Sequence, residues 1–597
     1  MRSWSQPGGL RDTRKPFRFK ICGCVGRQFH FREVRPPSDV RRLFEKYSEN
    51  GTMSIDHLHR FLIHYQMLKD ATREDALSVL HSLRHHIMYR KELNLDHFFR
   101  YLLSDHNPPV TPSPGVHHDM NAPLAHYYMY TGHNSYLTGN QLSSDSSFEP
   151  ITKALKKGVR VIELDLWPNS RGDKVKVCHG GTLTSPVSLN KCLNATCQNA
   201  FVASEFPVVI TFEDHLTPRL QAKVAKMVTK SFELKLHRPD ADQLAEFPSP
   251  ESLKRKILIS TKPPKEYLER QTSMGKDKHS GQSEEHTGKD DSDEDDEEKN
   301  AILEYKHLIA IHAGKPKGRL ENSLRIDTGQ VRRLSLSEQE LEDISKDHGQ
   351  DLVRFTQRNL LRIYPKGTRF DSSNYDPLLG WMHGAQMVAF NMQGYGKYLW
   401  IMEGMFRANG RCGYVKKPDF LLDKDHIFNP KVRLPVKTTL KVTVYLGEGW
   451  HLDFKKTHFD QFSPPDFFVR VGIAGVPSDE VMRRTQAIED DWTPVWNEEF
   501  AFPLTVPELA ILRIECLEYD TTGHHDFGGQ TCLPVSELRE GIRSVPLHSR
   551  KGEKYRSVKL LMGFQFQLED HREFLEPHSQ LEVDWEDDRE DDKEDDS

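Results

Sequence analysis

Apolar residues recur along this chain in three successive rhythms. From Asp39 to about Leu103 they return every three to four positions: Val40, Leu43, Phe44 and Tyr47, then Leu58, Phe61, Leu62 and Tyr65. That spacing predicts amphipathic helices. From 123 to 262 the pattern changes to short apolar runs separated by helical stretches. The predicted strands are VRVIELDLW (159–167), KVKVCHG (174–180), FPVVITFED (206–214) and KRKILIST (254–261). Similar runs resume at HLIAIHAG (307–314), LLRIYP (360–365) and AQMVAFNM (385–392). Strand–helix alternation on both sides of a break predicts one α/β barrel split by an insert. From about 434 to 567, TTLKVTVYLGEG, DFFVRVGIAG, LAILRIECLEYD and SVKLLMGFQFQL alternate as strands do, and predict a β-sandwich.

Punctuation and charge set the boundaries. Residues 1–37 are basic and irregular, and NPPVTPSPG (107–115) separates a helical lobe, 38–106, from the barrel. Residues 263–304 are polar and then acidic, without apolar period, as is the tail, 568–597. The 597-residue chain has 82 Lys plus Arg against 88 Asp plus Glu, a net charge of −6. Yet 283–298 (SEEHTGKDDSDEDDEE) and 582–597 (EVDWEDDREDDKEDDS) each carry −9, which leaves +12 on the remainder. Both acidic runs read as solvated tethers. A basic body suits an anionic membrane, a phosphorylated ligand or nucleic acid, unless the charge serves solubility alone. With 28% charged and 37% hydrophobic residues, collagen-like and wholly disordered chains are excluded. No run reaches the roughly 20 apolar residues of a spanning helix. The opening segment, MRSWSQPGGLRDTRKPFRFK, has no apolar signal region, and the eight scattered cysteines suit reduced thiols, so a cytoplasmic location is expected.

Four runs carry candidate chemistry. In a strand, Val161, Glu163, Asp165 and Trp167 share one face. Two carboxylates so placed repel unless a cation, a proton or solvent lies between them. A solvent-facing edge strand is the alternative, although Ile162, Leu164 and Leu166 mark the other face as buried. FPVVITFED also ends in acids, Glu213 and Asp214, and α/β barrels carry their sites at the C-terminal ends of strands. His133 and Asn134 in YTGHNSYLTGN, and His179 in VCHGGTLTS, follow short strands among Gly and small polar residues. Each run is weak alone. Together, the hard oxygens of Asn134, Glu163, Asp165 and Glu213 suit calcium rather than zinc. Two histidines beside such a cation suit proton transfer during phosphoryl displacement.

HNSYL, RVIELDLW, CHGGTLTS and ITFEDH occur in that order, followed by the acidic insert, RLSLSE and LLRIYPKGTRFDSSNYDPLLGWMHGAQMVAFNMQ. The series resembles eukaryotic phosphoinositide-specific phospholipase C in its plant-type form, over about residues 38–567. The resemblance implies an EF-hand-like lobe (38–106), a distorted TIM barrel made of an X half (118–262) and a Y half (305–421), and a C2 domain (434–567). It implies calcium-dependent hydrolysis of phosphatidylinositol 4,5-bisphosphate and related lipids at the plasma membrane, to diacylglycerol and inositol trisphosphate, through a cyclic phosphate, in intracellular signalling. His133 and His179 then stand as catalytic histidines, and Asn134, Glu163, Asp165 and Glu213 as the calcium shell. Glu163 or Glu213 is the proton acceptor. Lys262, Ser335, Arg362 and Tyr364 stand as headgroup contacts. Where the family commonly has a second lysine, two positions before Lys262, this chain has Ser260, which bears on selectivity among ring phosphates.

The flanking modules are less regular. In SENGTMSIDHLH (48–59), His59 occupies the place of the bidentate glutamate of a calcium-binding loop and Met53 that of its glycine, so no calcium is expected there. In the sandwich, Asp460 and Asp466, Asp490 and Asp491, and Glu518, Asp520 and Asp526 gather in three predicted loops, which resembles the calcium-dependent lipid-docking end of C2 domains. A solvated acidic cluster is the alternative. Competing readings of the whole are a glycerophosphodiesterase-like barrel and a catalytically silent membrane scaffold. Nucleic-acid binding lacks a supporting motif.

Overall fold

The computed structural model describes residues 35–83, 92–110, 115–239, 244–264, 303–314, 319–326, 329–455, 458–459, 463–521 and 523–568, together with the backbone of 17–22 and 25–29. Most of the predicted acidic linker, the acidic tail and Asp460 lie outside the described residues.

Four helices, α1 (Ser38–Tyr47), α2 (Ile55–His64), α3 (Arg73–Ser82) and α4 (Leu95–Leu102), build the first lobe. Short polar side chains start three of them. Ser54 accepts from the His57 amide, Thr72 and Asp75 form a capping box, and Asn94 accepts from the His97 amide. The predicted apolar stripes meet at Phe44, Phe61 and Phe98, with Phe61 and Phe98 edge to face at 5.0 Å. The His59 imidazole donates to the Ala71 carbonyl at 2.8 Å.

Eight parallel strands follow: β1 (Thr131–Gly132), β2 (Val161–Pro168), β3 (Val208–Asp214), β4 (Ile257–Thr261), β5 (Ile309–His312), β6 (Arg333–Ser337), β7 (Leu360–Tyr364) and β8 (Met387–Phe390). They pair in the order β5-β4-β3-β2-β1-β8-β7-β6, and a parallel bridge from Ala313 to Arg333 brings the two ends together. Both faces are covered, which is why these strands are almost continuously apolar. Ile162, Leu164 and Leu166 of β2 pack outward against helix residues such as Leu155 and Leu193. Val161, Val209, Leu258, Leu360 and Met387 fill the interior at the N-terminal end. Polar residues of the same strands lie one or two layers above that plug.

Two barrel strands escape the sequence pattern. β1 has only two residues, and β6 alternates Arg333, Ser335 and Ser337 with Leu334 and Leu336. The run KVKVCHG is no barrel strand. Its Val175–Val177 pairs antiparallel with the end of β2, Leu166 opposite Val177, and carries the following loop over the mouth.

The C-terminal region is an eight-stranded antiparallel sheet: β9 (Thr438–Glu448), β10 (Phe467–Ala474), β11 (Val481–Arg484), β12 (Val495–Leu504), β13 (Ile511–Glu518), β14 (Asp526–Pro534), β15 (Gly541–His548) and β16 (Lys554–Leu568). The order is β11-β10-β13-β14-β15-β16-β9-β12. β14 and β15 meet through the single pair Gln530–His548, so the sheet folds there into two layers around Trp450, Phe467, Leu512 and Leu560. This module touches both others. Ala474, Val476, Ile511 and Cys532 join the core outside the barrel, whereas Tyr445, Leu446, Ile542 and Leu561 join that of the helical lobe. The barrel helix Lys397–Met405 lies so close that a Cβ on Gly404 would come 2.7 Å from Cys532 Cβ. Against the lobe the contact is polar as well: Gln66, Asn107 and Arg543 are buried and bonded to one another and to the Ile542 backbone.

Candidate active site

The C-terminal strand ends of the barrel gather the predicted residues. β2 and β3 run in register, with Asp165 opposite Glu213 and Glu163 opposite Thr211. Alternation therefore sends Glu163, Asp165 and Glu213 to one side, and an oxygen of each lies within 4.8 Å of the others. The loop after β1 folds back on β2: the Glu163 amide donates to Ser135 Oγ (3.2 Å), and Asn134, at φ 38°, donates its own amide to Glu163 Oε2 (3.2 Å). The left-handed turn at Asn134 points His133 and Asn134 at the same carboxylate.

The electrostatics are uneven. Glu163 Oε2 also accepts from Arg362 Nη2 at 2.5 Å and stands 4.0 Å from His133 Nε2. Burial opposes the Glu163 charge, but Arg362, and then His133, outweigh it and hold the carboxyl below its ordinary range. Asp165 has no such cation. Burial, then Glu163 and Glu213, push its proton affinity well above the ordinary carboxylate. Tyr136 donates to Asp165 Oδ2 at 2.8 Å, while the buried Oδ1 has no hydrogen-bond partner. Glu213 is exposed and bonded to His215 at 3.1 Å, whose ring stacks on Trp167 at 3.9 Å.

The two histidines are fixed alike. Oxygen acceptors take the Nδ1 proton of each: Asn391 Oδ1 for His133 (2.9 Å) and the Gln141 carbonyl for His179 (2.8 Å). Nε2 is thus the atom each presents onward. Burial lowers the proton affinity of His133, with Arg362 and His179 adding to it, against the pull of Glu163. The His179 loop seats on β2 at Gly180, where a Cβ would come 2.0 Å from the Trp167 ring.

The predicted headgroup residues lie on neighbouring strands. Ser335 on β6 is opposite Arg362 on β7, and the Arg362 guanidinium lies 5.5 Å from the Tyr364 ring. Lys262, exposed, follows β4 directly. Ser260 is buried and donates to the Ile311 carbonyl at 3.1 Å, so its side chain is spent inside the wall. Sequence reasoning missed several neighbours. Arg333 is buried in the barrel, donates to Thr211 Oγ1 at 3.1 Å and has its pKa lowered to about 9 by burial and then Arg362. Its place in the alternating RLSLS strand was the available signal. Asn391 and Gln141 lie in loops whose composition marks nothing. Three exposed apolar residues also escaped notice: Leu142 (45% exposed), Leu183 (87%) and Phe370 (50%). Backbone bonds join their segments beside the histidines, Leu183 to Leu142 and Gln141 to Phe370, both at 2.8 Å.

In the C-terminal module the acidic loops share one end. Asp466 Oδ1 accepts from the Asp490 amide (2.7 Å), and the Asp466 carbonyl accepts from Tyr519 (2.8 Å), next to Asp520. Glu518 and Asp526 pair across β13 and β14. Among the described residues, two groups of three ligand-type side chains lie within 4.8 Å: the barrel acids, and His117, His118 and Glu537 at the barrel–sandwich seam. The C2 acids are not among them.

Comparison with known proteins places this architecture. Four family models match: a phosphoinositide-specific phospholipase C EF-hand-like domain over 31–108, the X domain of phosphatidylinositol-specific phospholipase C over 120–263, its Y domain over 319–420, and a C2 domain over 438–550. Phosphoinositide phospholipase C 2 of Arabidopsis thaliana is 59% identical over 578 residues, covering 92% of this chain and 99% of that protein. The 1-phosphatidylinositol 4,5-bisphosphate phosphodiesterase delta-3-A of Danio rerio is 33% identical over 89% of this chain and 70% of its own. The crystal structure of PLC21 from L. pealei superposes with a TM-score of 0.71 at 25% identity, over 90% of this chain and 70% of that one. The chain is therefore an enzyme, a barrel-built phosphoric diester hydrolase. It belongs to the phosphoinositide-specific phospholipase C family and is a phosphoinositide phospholipase C, which sets aside the glycerophosphodiesterase and silent-scaffold readings.

Proposed function

We propose that this enzyme hydrolyses phosphatidylinositol 4,5-bisphosphate and related phosphoinositides at a membrane surface, with calcium, yielding diacylglycerol and inositol trisphosphate by way of a cyclic phosphate. The observation that carries the reading is the meeting of His133, Asn134, Glu163, Asp165, Glu213 and Arg362 at one end of the barrel, with His179 tied to the same loop. The donor set fits a hard divalent cation: three carboxylates within reach of one another, a buried Asp165 oxygen without a partner, and no sulfur ligand. Asn134, Glu163, Asp165 and Glu213 would hold calcium, which when bound acidifies the inositol 2-hydroxyl and offsets charge on the phosphoryl oxygens.

The protein's own groups do the rest. A carboxylate accepts the proton of the 2-hydroxyl, and the freed oxygen pair attacks the adjacent phosphorus. Glu163, kept ionised by Arg362, and Glu213 are the two carboxylates at the mouth that can take that proton. As the bond from phosphorus to the diacylglycerol oxygen breaks, the His179 imidazolium supplies that oxygen with its Nε2 proton and is left neutral, its remaining proton on Nδ1. His133 Nε2, facing Glu163, steadies the equatorial oxygens. Water opens the cyclic phosphate in a second step. Arg362, Ser335, Tyr364 and Lys262 receive the ring phosphates, Arg362 through its planar fork.

Surface features support the reading of location. No helix of the described residues is long and apolar enough to cross a membrane. Leu142, Leu183 and Phe370 beside the mouth suit shallow insertion among lipid headgroups, and the C2 module suits calcium-assisted docking, so we place the enzyme peripherally, at the plasma membrane. The test is hydrolysis of labelled phosphatidylinositol 4,5-bisphosphate in vesicles, with calcium and with excess chelator. His133→Ala and His179→Ala should each lower the rate by about 10²–10⁴. Equal turnover in chelator, or an active His133→Ala enzyme, would refute the proposal.

A further inference from the structure

Building on that reading of the barrel mouth, we propose that Gln141 is a positioning residue that sets the orientation of Asn134, His133 and His179 together. Gln141 is buried, at 6% exposure, in the loop after β1. Its side-chain amide is fully engaged. Oε1 accepts from Asn134 Nδ2 at 2.9 Å, and Nε2 donates to Asn391 Oδ1 at 3.0 Å and to Ser372 Oγ at 2.8 Å. Its backbone carbonyl is the one that holds His179.

A carboxamide keeps its shape when turned by a half-rotation, so its hydrogen bonds alone decide which atom faces where. Gln141 Oε1 only accepts. Asn134 must therefore offer it Nδ2, which leaves Asn134 Oδ1 as the atom it can offer a cation. Gln141 Nε2 only donates. Asn391 must therefore turn Oδ1 toward it, and that same oxygen accepts the Nδ1 proton of His133. The Gln141 carbonyl places the proton of His179 on Nδ1 in the same way. One residue thus fixes the amide flip of a candidate ligand and, directly or through Asn391, the tautomer of both histidines. The far side of the relay is anchored too: Asn391 Nδ2 donates to the Ser373 carbonyl at 3.2 Å, and Ser372 Oγ to the Gly139 carbonyl at 2.8 Å. Because Ser372 and Asn391 belong to the second half of the barrel, Gln141 also keys the two halves together at the site.

Methionine at this position keeps the volume and loses all three side-chain bonds. Glutamate keeps the acceptor and loses both donors. The experiment compares full-length wild type, Gln141→Met and Gln141→Glu on phosphatidylinositol 4,5-bisphosphate vesicles, with His133→Ala and Asp165→Asn as references. Both Gln141 variants should lose about 10–100-fold in kcat, the scale of removing an outer-shell partner, with KM for vesicle substrate within about twofold. Their melting temperatures in chelator should stay near wild type. A second readout needs no turnover. In terbium luminescence titrations, with Asp165→Asn as the background lacking the barrel site, Gln141→Met should bind the ion about 10-fold more weakly, and His133→Ala as wild type does. A Gln141→Met enzyme with wild-type kcat and terbium affinity overturns the proposal, as does activity lost only in proportion to unfolded protein. Should wild type ignore chelator or His133→Ala remain active, the active-site reading itself fails and the role of Gln141 falls with it.

Discussion

The barrel mouth and the tip of the C2 module both collect acidic oxygens, yet of these two regions it is the mouth, among the described residues, that brings three ligand-type side chains within 4.8 Å of one another. The difference lies in what carries them. Glu163, Asp165 and Glu213 project from two parallel strands locked in register, with Arg362 and Arg333 beneath as counter-charges. Asp466, Asp490 and Asp520 sit on three separate loops, where Asp466 Oδ1 accepts from the Asp490 amide. A sheet holds like charges at a spacing their repulsion would otherwise enlarge. Loops let them relax into solvent. By this logic the mouth is preorganised for a cation, whereas the tip acts once cation and lipid phosphate arrive together.

Substitutions at the two centres sharpen the contrast. Asp165→Asn should have the largest effect, a loss of activity of at least about 100-fold at limiting calcium, beyond what losing an outer-shell partner costs. Assaying turnover against calcium concentration measures it. A smaller effect is expected at the junction of the two modules, where Arg407 donates to Thr531 (2.6 Å) and to His548 Nε2 (3.3 Å). Burial, and then Arg407, lower the pKa of His548 to about 3. The unfolded chain, with an ordinary histidine near pH 6.5, binds the proton first. Stability is therefore whole above about pH 6.5 and declines as pH falls below it, by about 1.4 kcal/mol per unit. Thermal melts of wild type and His548→Gln between pH 7 and 5 should show a shallower acid slope in the variant, and parallel slopes would argue against the assignment. The smallest change belongs to the C2 tip. Asp490→Asn should weaken calcium-dependent vesicle binding by only about fivefold, the worth of about one charge at a membrane surface, with turnover of lipid in detergent micelles unaltered. A larger loss than at Asp165 would invert the comparison.

Much of this was legible in the residues. VIELDLW announces a strand whose outer face is apolar and whose inner face is acidic, and β2 is built that way. β3, β4, β5, β7 and β8 likewise coincide with apolar runs, because a strand covered on both sides must be apolar nearly throughout. β1 was too short to leave a pattern. β6 was passed over because its Arg and Ser residues look like surface, although they line the barrel interior, where Arg333 meets Thr211. Half of the C2 strands, β11, β12, β14 and β15, were missed too. β12, for example, alternates exposed Val495, Asn497, Glu499, Ala501 and Pro503 with a more covered face that includes Trp496, Phe502 and Leu504, and so has one face in water.

What the chain alone decided is chemical inventory and periodicity: which side chains can ligate, transfer protons or bind phosphate, and which segments must bury a face. Those are properties of short windows, and short windows are what sequence displays. Partnership was settled only in three dimensions. Arg362 neutralising a glutamate 199 positions away, Asn391 orienting His133, and Leu142, Leu183 and Phe370 meeting at one rim all depend on strand order and register. Both arise from packing the whole barrel, and neither leaves a local trace.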